Sequence, residues 1–387
     1  MINKEKELSA IEYSKILWEN YDNFRCPDFQ ERHFPPEILY NYLNSLHKRS
    51  SGTLAIVLEG RSFEDREIYR IQCGTGPINV LLWSQMHGDE PTATMSICDI
   101  LNFMISTNED INLKKILTTL TLHFIPMVNP DGAFRVQRRN ALNIDINRDA
   151  LTLTAPESFL LKEIHKKIKP KFGFNLHDQE LSTVGNSKLI SGMSLLAPAF
   201  DEERTDNDTR KNAKKIAAIF NKILQEYIRG RVTKYDDSYE PRAFGDNMQK
   251  WGTSTLLIES GHEINDPEKE KIRKLNFVGI LSTLFSIATD EYSTINYNEY
   301  ENLPLNGKKA YDVIIRNVTV ERKGKKGITV DLAVSYQVDT HSEFPPKLVD
   351  VGDLQNYIGL KEINATGKIV SPEILRINEP FEWEKYF

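Results

Sequence analysis

Apolar residues fall along the chain in short, nearly continuous runs and in longer stretches of helical spacing. Asn79–Trp83 and Leu120–Val128 are runs of the first kind, with shorter ones at Phe172–Leu176 and Thr253–Ile258. Such runs predict strands buried on both faces, because a strand with one face in water would alternate. Stretches of helical spacing lie between them, over about Thr92–Ser106, Pro156–Ile168, Asn212–Ile228 and Glu268–Ala288, and Pro170 stops the second. Leu54–Leu58 and Arg66–Cys73 predict two further strands joined by a polar turn. Strands alternating with helices predict an α/β domain, a mixed central sheet flanked by helices.

Both ends of the chain read differently. Residues 5 to 48 predict helices broken near Pro27 and Pro35-Pro36, with Leu8, Ile11, Trp18 and Tyr21 at helical spacing. This gives a helical segment over residues 1–50 that packs on a domain over 51–300. After about residue 295 the pattern turns to alternating β-formers, as in Asp312–Val320 and Ile328–Val334, with a Gly- and Lys-rich hairpin turn at Lys323–Gly327. A small antiparallel β domain is expected over 305–387, joined through Asn302-Leu303-Pro304.

Composition narrows the partners. The 387 residues, 40% of them hydrophobic, suffice for one large domain and a smaller one. A net charge of -6 offers no basic footprint for nucleic acid. No stretch approaches the roughly 20 apolar residues of a membrane helix. Neither nucleic acid nor membrane is therefore expected as a partner. Cys26, Cys73 and Cys98 have no metal-site spacing, and Met1–Tyr21 lacks the apolar core of a secretory signal. Unpaired thiols and a cytoplasmic location are the expectation.

The candidate chemistry collects where the apolar runs end. His87 and Glu90 follow the first run, Asn129-Pro130-Asp131-Gly132 the second, His177 the third and Glu259 the fourth. In open α/β sheets, ligands bind outside the carboxyl ends of the strands. A His-x-x-Glu pair alone is a weak signal, since short motifs recur by chance. Four polar clusters after four strands are a stronger one. His87, Glu90 and His177 make a nitrogen and oxygen donor set suited to one zinc ion per chain. A catalytic zinc site takes three protein ligands and keeps a position open for water. Glu259 is the candidate general base, a carboxylate placed to take a proton from water and deliver it to a leaving amine. Arg138, Arg139 and Arg148, with amides between them, suit an anion. Arg148 can grip a carboxylate in a two-point fork, and a second arginine can steady an oxyanion. Asp178 reads equally as a support for His177 and as a surface carboxylate.

Taken in order, these residues resemble the zinc carboxypeptidase superfamily of metallopeptidases. The resemblance spans roughly residues 55 to 290 and is nearest to the bacterial branch, with its phrases Asp145-Ile146-Asn147-Arg148-Asp149-Ala150 and Asn175-Leu176-His177-Asp178-Gln179. It implies that His87, Glu90 and His177 bind zinc and that Glu259 is the base. It implies that Arg138 polarises the substrate carbonyl, and that Asn147 and Arg148 bind the terminal carboxylate. Asp145 would orient His87 through its other ring nitrogen. A mobile tyrosine shortly before the base is assigned to Tyr239, with Tyr235 the second choice. The chain departs from the digestive members at Asp89, where they carry an arginine. The interval from Glu90 to His177 is also shorter than theirs.

The leading expectation is a hydrolase that removes the C-terminal residue of a peptide. Two alternatives share the ligand set. One is a deacylase of the aspartoacylase or succinylglutamate desuccinylase type, acting on N-acyl amino acids. The other is a peptidase of cell-wall peptides. Each substrate presents a free carboxylate. A binding protein on an inactive peptidase scaffold is a different class, disfavoured because every expected ligand and the base are present.

Overall fold

The apolar run that precedes His87 lies in the middle of an eight-stranded mixed sheet. The computed structural model describes residues 8–106, 110–336 and 346–387, so the first seven residues of the expected N-terminal segment lie outside the described ones. The N-terminal segment forms α1 (Ala10–Asn20) and α2 (Pro36–Arg49). Then come β1 (Ala55–Arg61), β2 (Glu67–Cys73), β3 (Ile78–Ser84), α3 (Thr92–Ser106), α4 (Ile111–Thr119) and β4 (Leu120–Ile125). The chain continues through α5 (Pro130–Arg135), α6 (Pro156–Ile168), β5 (Phe172–Asp178), β6 (Thr183–Val184), β7 (Met193–Leu196) and α7 (Asp208–Gln225). It closes with β8 (Val232–Lys234), α8 (Phe244–Lys250), β9 (Ser254–Ser260), α9 (Glu270–Ala288), α10 (Asn298–Glu301) and β10 (Asn306–Gly307).

The sheet order is β1-β2-β4-β3-β5-β9-β7-β8. The four strands β4, β3, β5 and β9 run parallel at its centre, so their carboxyl ends share one edge. Two of them run past the ends expected from the apolar pattern. Pairing between β5 and β9 continues through His177↔Glu259 and Asp178↔Ser260, which takes both polar residues into the ladder. β4 is shorter than its apolar run and stops at Ile125, immediately before Pro126, which has no N–H for the ladder. The short strands β7 and β8 and the helix α4 were not marked by the apolar pattern.

Helices cover both faces. On one, α9 packs against α1, α3 and α7 and is buried along nearly all its length, as its almost unbroken apolar sequence requires. Between α3 and α9 lies the ion pair of Asp99 with Arg273, both side chains fully buried, and the N-terminal segment is fastened to it. Asp99 also accepts from the Tyr21 hydroxyl and the Cys26 amide, and Arg273 donates to the Cys26 and Phe29 carbonyls. Cys26, Cys73 and Cys98 are buried free thiols. Among the described residues, no helix is long and apolar enough to cross a membrane.

The remaining residues form a separate sheet of β11 (Ala310–Arg322), β12 (Lys325–Ser335), β13 (Lys347–Gly352), β14 (Ile358–Asn364) and β15 (Ile369–Val370). β11, β12 and β13 are antiparallel neighbours, while β14 and β15 join β11 in parallel. This sheet has its own apolar cluster, which includes Val313, Ile315, Leu332, Leu348 and Trp383.

Candidate metal centre

The polar clusters anticipated at the strand ends meet at the carboxyl edge of β3, β5 and β9. The turn after β3 is shaped by Gln85, a non-glycine residue at φ +51°. Strained backbone of this kind persists only where its surroundings hold it. Here the Gln85 amide donates to the Gly88 carbonyl and accepts from the Thr94 hydroxyl. The turn also lies against the start of α5. A Cβ on Gly88 would sit 1.9 Å from the Gly132 carbonyl carbon, so only glycine allows this approach. Asn129 pins the contact, capping α5 through Gly132 N–H at 2.8 Å and donating to the Met86 carbonyl at 3.1 Å. The Asn-Pro-Asp-Gly motif therefore supports the His87 turn. Its Asp131 faces away, holding Ser62, Glu64 N–H and Arg66 of the β1–β2 turn.

His87, Glu90 and His177 converge, with one donor atom from each within 4.8 Å of the others. The Glu90 oxygens lie 2.8 Å from His87 Nδ1 and 2.8 Å from His177 Nδ1. The two Nδ1 atoms are 3.2 Å apart. Asp145 Oδ1, an acceptor only, faces His87 Nε2 at 3.2 Å. It holds a proton on that nitrogen and leaves Nδ1 directed at the other donors. Asp145 is itself fixed by capping Asn147 N–H and by Arg138 Nε at 3.1 Å.

The electrostatics call for a cation at this point. Burial disfavours charge on His87, yet Glu90 and Asp145 outweigh it and raise its pKa to about 9. Burial outweighs Glu90 at His177, whose pKa is lowered. Glu90 is held well below the ordinary carboxylate range: burial opposes this, and the two imidazoles override it. Glu259 goes the other way, raised well above its usual value by burial and then by the charge of Glu90. Two imidazole nitrogens and a carboxylate that already want one positive charge between them fit a zinc ion, with His87 releasing its proton on binding.

Arg138, with 44% of its side chain exposed, reaches over this cluster. Its Nη1 is 3.1 Å from His87 Nδ1 and 3.4 Å from Glu90 Oε1. Asn147 faces His177 Nε2 at 3.4 Å and accepts from Phe244 N–H, so its side chain is engaged on both sides. Arg148 lies further out, 3.4 Å from Glu240, which also pairs with Arg242. Arg139, Arg148 and Arg242 line an open cleft of about 490 Å³ that reaches Asp145. Asp89 sits within the site, and burial and then Glu90 raise its carboxyl pKa to about 6.

Tyr235 N–H donates to the Leu195 carbonyl, one residue from Ser194, the β7 partner of Glu259, and burial, then Glu259, raises its hydroxyl above the ordinary value. Among the described hydrogen bonds, none joins Tyr239 to the cluster. Asp178 is buried behind the ligands. Its amide donates to Glu90, and its carboxylate accepts from Thr92 and pairs with Arg32 and Lys269. Arg32 and Lys269 stand far from the motifs in sequence, so no spacing rule could have found them.

The mixed sheet with a His-Glu-His cluster at the carboxyl edge of its parallel strands defines a metallopeptidase-like α/β protein. The chain matches the zinc carboxypeptidase family over residues 39–266 and belongs to it. Carboxypeptidase 2 of Trichophyton rubrum is 31% identical over 101 residues, 26% of this chain and 18% of that protein. Probable carboxypeptidase 2 of Arthroderma benhamiae is 27% identical over 186 residues, 48% of this chain and 33% of the relative. The matches thus span a third or less of these curated relatives. The fold is shared with the metallo-carboxypeptidase of Burkholderia cenocepacia, at a TM-score of 0.54 and 17% identity, over 67% of this chain and 70% of that one. It is also shared with the Pseudomonas aeruginosa metallo-carboxypeptidase, solved in complex with (2-guanidinoethylmercapto)succinic acid, at 0.54 and 18% over 67% and 70%.

Proposed function

We propose that the protein is a zinc-dependent carboxypeptidase that releases the C-terminal residue of a peptide. The observation that carries this reading is the convergence of His87, Glu90 and His177 beside Glu259, with Arg138 over the cluster and Arg148 on the adjoining cleft. His87, Glu90 and His177 would hold the metal. When bound, zinc polarises the scissile carbonyl and lowers the pKa of water. Glu259 takes the proton of the attacking water and passes it to the departing amine. Arg138 presents N–H donors where negative charge grows on the carbonyl oxygen. Asn147 and Arg148 bind the terminal carboxylate, Arg148 from the cleft. Asp145 keeps His87 in the orientation that aims Nδ1 at the metal position.

The test offers the zinc-loaded protein matched peptides with free and amidated C-termini, together with N-acyl amino acids and cell-wall peptides. Loss of cleavage on amidation supports the reading. Equal cleavage of both peptides removes the carboxylate clamp, and hydrolysis confined to N-acyl amino acids replaces the peptidase with a deacylase.

A further inference from the structure

The stretch between α1 and α2 reaches the back of the metal centre. It is held down by Phe29 and Phe34, buried rings 4.6 Å apart at their centroids. Between them Arg32 is seated by its backbone, whose N–H donates to the Glu268 carboxylate at 2.6 Å. Its side chain, 16% exposed, runs inward to that of Asp178, which is 2% exposed. One oxygen of Asp178 gathers three donors: the Thr92 hydroxyl at 2.6 Å, Arg32 Nη2 at 2.8 Å and Lys269 Nζ at 3.5 Å. Lys269 is buried just before α9, and its Nζ also donates to the Ser260 carbonyl at 3.2 Å. Asp178 is joined to the ligands on two sides. It follows His177 directly in β5, and its N–H donates to Glu90 Oε2 at 3.2 Å, the oxygen that lies 2.8 Å from His177 Nδ1. Thr92 opens α3 two residues after Glu90, so the backbone of Asp178 holds the Glu90 side chain while its carboxylate holds the chain just beyond.

We propose that Arg32 is a positioning residue for the metal centre, a cation by which the N-terminal segment fixes Asp178 and, through it, Glu90. Arg32 and Lys269 both fall outside the family match over residues 39–266, so the clamp comes from beyond the matched region. The physical basis is the cost of a buried carboxylate. A carboxylate out of water must be met by charge and hydrogen bonds, or it moves toward them. With Arg32 gone, Lys269 is its remaining cation among the described contacts, and the Ser260 carbonyl lies nearer to that ammonium than Asp178 does. Asp178 then shifts to meet Lys269 and draws its amide away from Glu90. Glu90 loses the support that aims it at the metal position, as metal ligands do when the groups behind them are removed.

The inference rests on the zinc-dependent reading proposed above, and zinc binding tests it without any need of turnover. Zinc-stripped parent protein, Arg32→Met, Arg32→Lys and Arg25→Met are titrated with zinc against a competing chelator, and their cobalt(II) forms are compared by visible absorption. Zinc-free melting curves establish that each is folded. Arg25 belongs to the same segment and pairs with Glu270 at 2.7 Å, so its loss loosens the docking and leaves Asp178 untouched. Arg32→Met is expected to raise the zinc dissociation constant about tenfold and to shift the cobalt bands. Arg32→Lys should recover most of the affinity, because a single guanidinium nitrogen meets Asp178. Arg25→Met should lower the melting temperature of the zinc-free protein and keep the parent's affinity and spectrum. Parental affinity in Arg32→Met, equal weakening in Arg25→Met, or no recovery in Arg32→Lys overturns the proposal. A parent that binds zinc but cleaves no peptide fails the peptidase reading alone, and the same titrations still decide the role of Arg32. A parent that binds no zinc overturns both.

Discussion

Replacing Asp99 with Asn is expected to loosen the N-terminal segment from the rest of the molecule. The Asp99 carboxylate accepts four hydrogen bonds: Arg273 Nη2 at 2.6 Å, Arg273 Nε at 2.7 Å, Cys26 N–H at 2.7 Å and the Tyr21 hydroxyl at 2.9 Å. Asparagine keeps one acceptor oxygen and turns an NH₂ toward the other two donors. It also leaves the Arg273 guanidinium, fully buried, with Glu270 at 3.3 Å as its remaining carboxylate among the described residues. Breaking a buried ion pair from one side costs about 3–5 kcal/mol. Because Glu270 still offsets part of the charge, a loss of about 3 kcal/mol is expected. Guanidinium-induced unfolding measures it, and hydrogen exchange should show the amides of α1 losing protection first. The double replacement Asp99→Leu with Arg273→Met removes both charges and should be less damaging than Asp99→Asn. A loss under about 1 kcal/mol for Asp99→Asn, or a double variant worse than the single, would refute the reasoning.

Further expectations concern the site and pH. Glu259→Gln should retain one zinc per chain by elemental analysis while kcat falls about 10²- to 10⁴-fold; full turnover would assign the base elsewhere. Arg148→Ala should raise KM for peptides with a free C-terminus and leave amidated peptides unaffected, and an equal effect on both would remove it from the clamp. Chelation should lower the melting temperature, and zinc at about 100 times its dissociation constant should restore roughly 2.7 kcal/mol, whereas a zinc-independent melt would argue against a resident ion. His165 is 7% exposed, and burial, then Lys162, lowers its pKa from 6.5 to about 4. The neutral ring is therefore favoured by folding, and its stabilisation is present above pH 6.5 and lost as pH falls toward 4. His165→Gln should flatten the stability profile in that window by about 2 kcal/mol relative to the parent, and parallel profiles would refute the shift.

The centre of the fold was legible because its strands are buried on both faces and read as unbroken apolar runs, as at β3, with polar residues clustered just beyond. The peripheral elements were not. β7 has only four residues, and β8 has three, Val232, Thr233 and Lys234, too few to establish a period. In the site, His87, Glu90 and His177 could be recognised because they stand in motifs. Tyr235 and Tyr239 are four residues apart in a polar segment, and only the bond of Tyr235 N–H to Leu195 of β7, the strand beside β9, separates them. Arg32 and Lys269 belong to segments brought in by docking of the N-terminal region and the turn before α9. Contacts of that kind depend on tertiary packing and leave no local pattern.

The backbone contact between Gly88 and Gly132 means that two turns 44 residues apart in the sequence behave as one casting. Neither can drift without pushing the other, so the register of the His87 turn is inherited from the start of α5. A transplant of this site into another scaffold would have to carry both turns and the Asn129 clip together. A library that varied either glycine alone should yield almost no metal-binding survivors. The short motif around His87 is half of a two-part mould, and its conformational memory is stored in the other half.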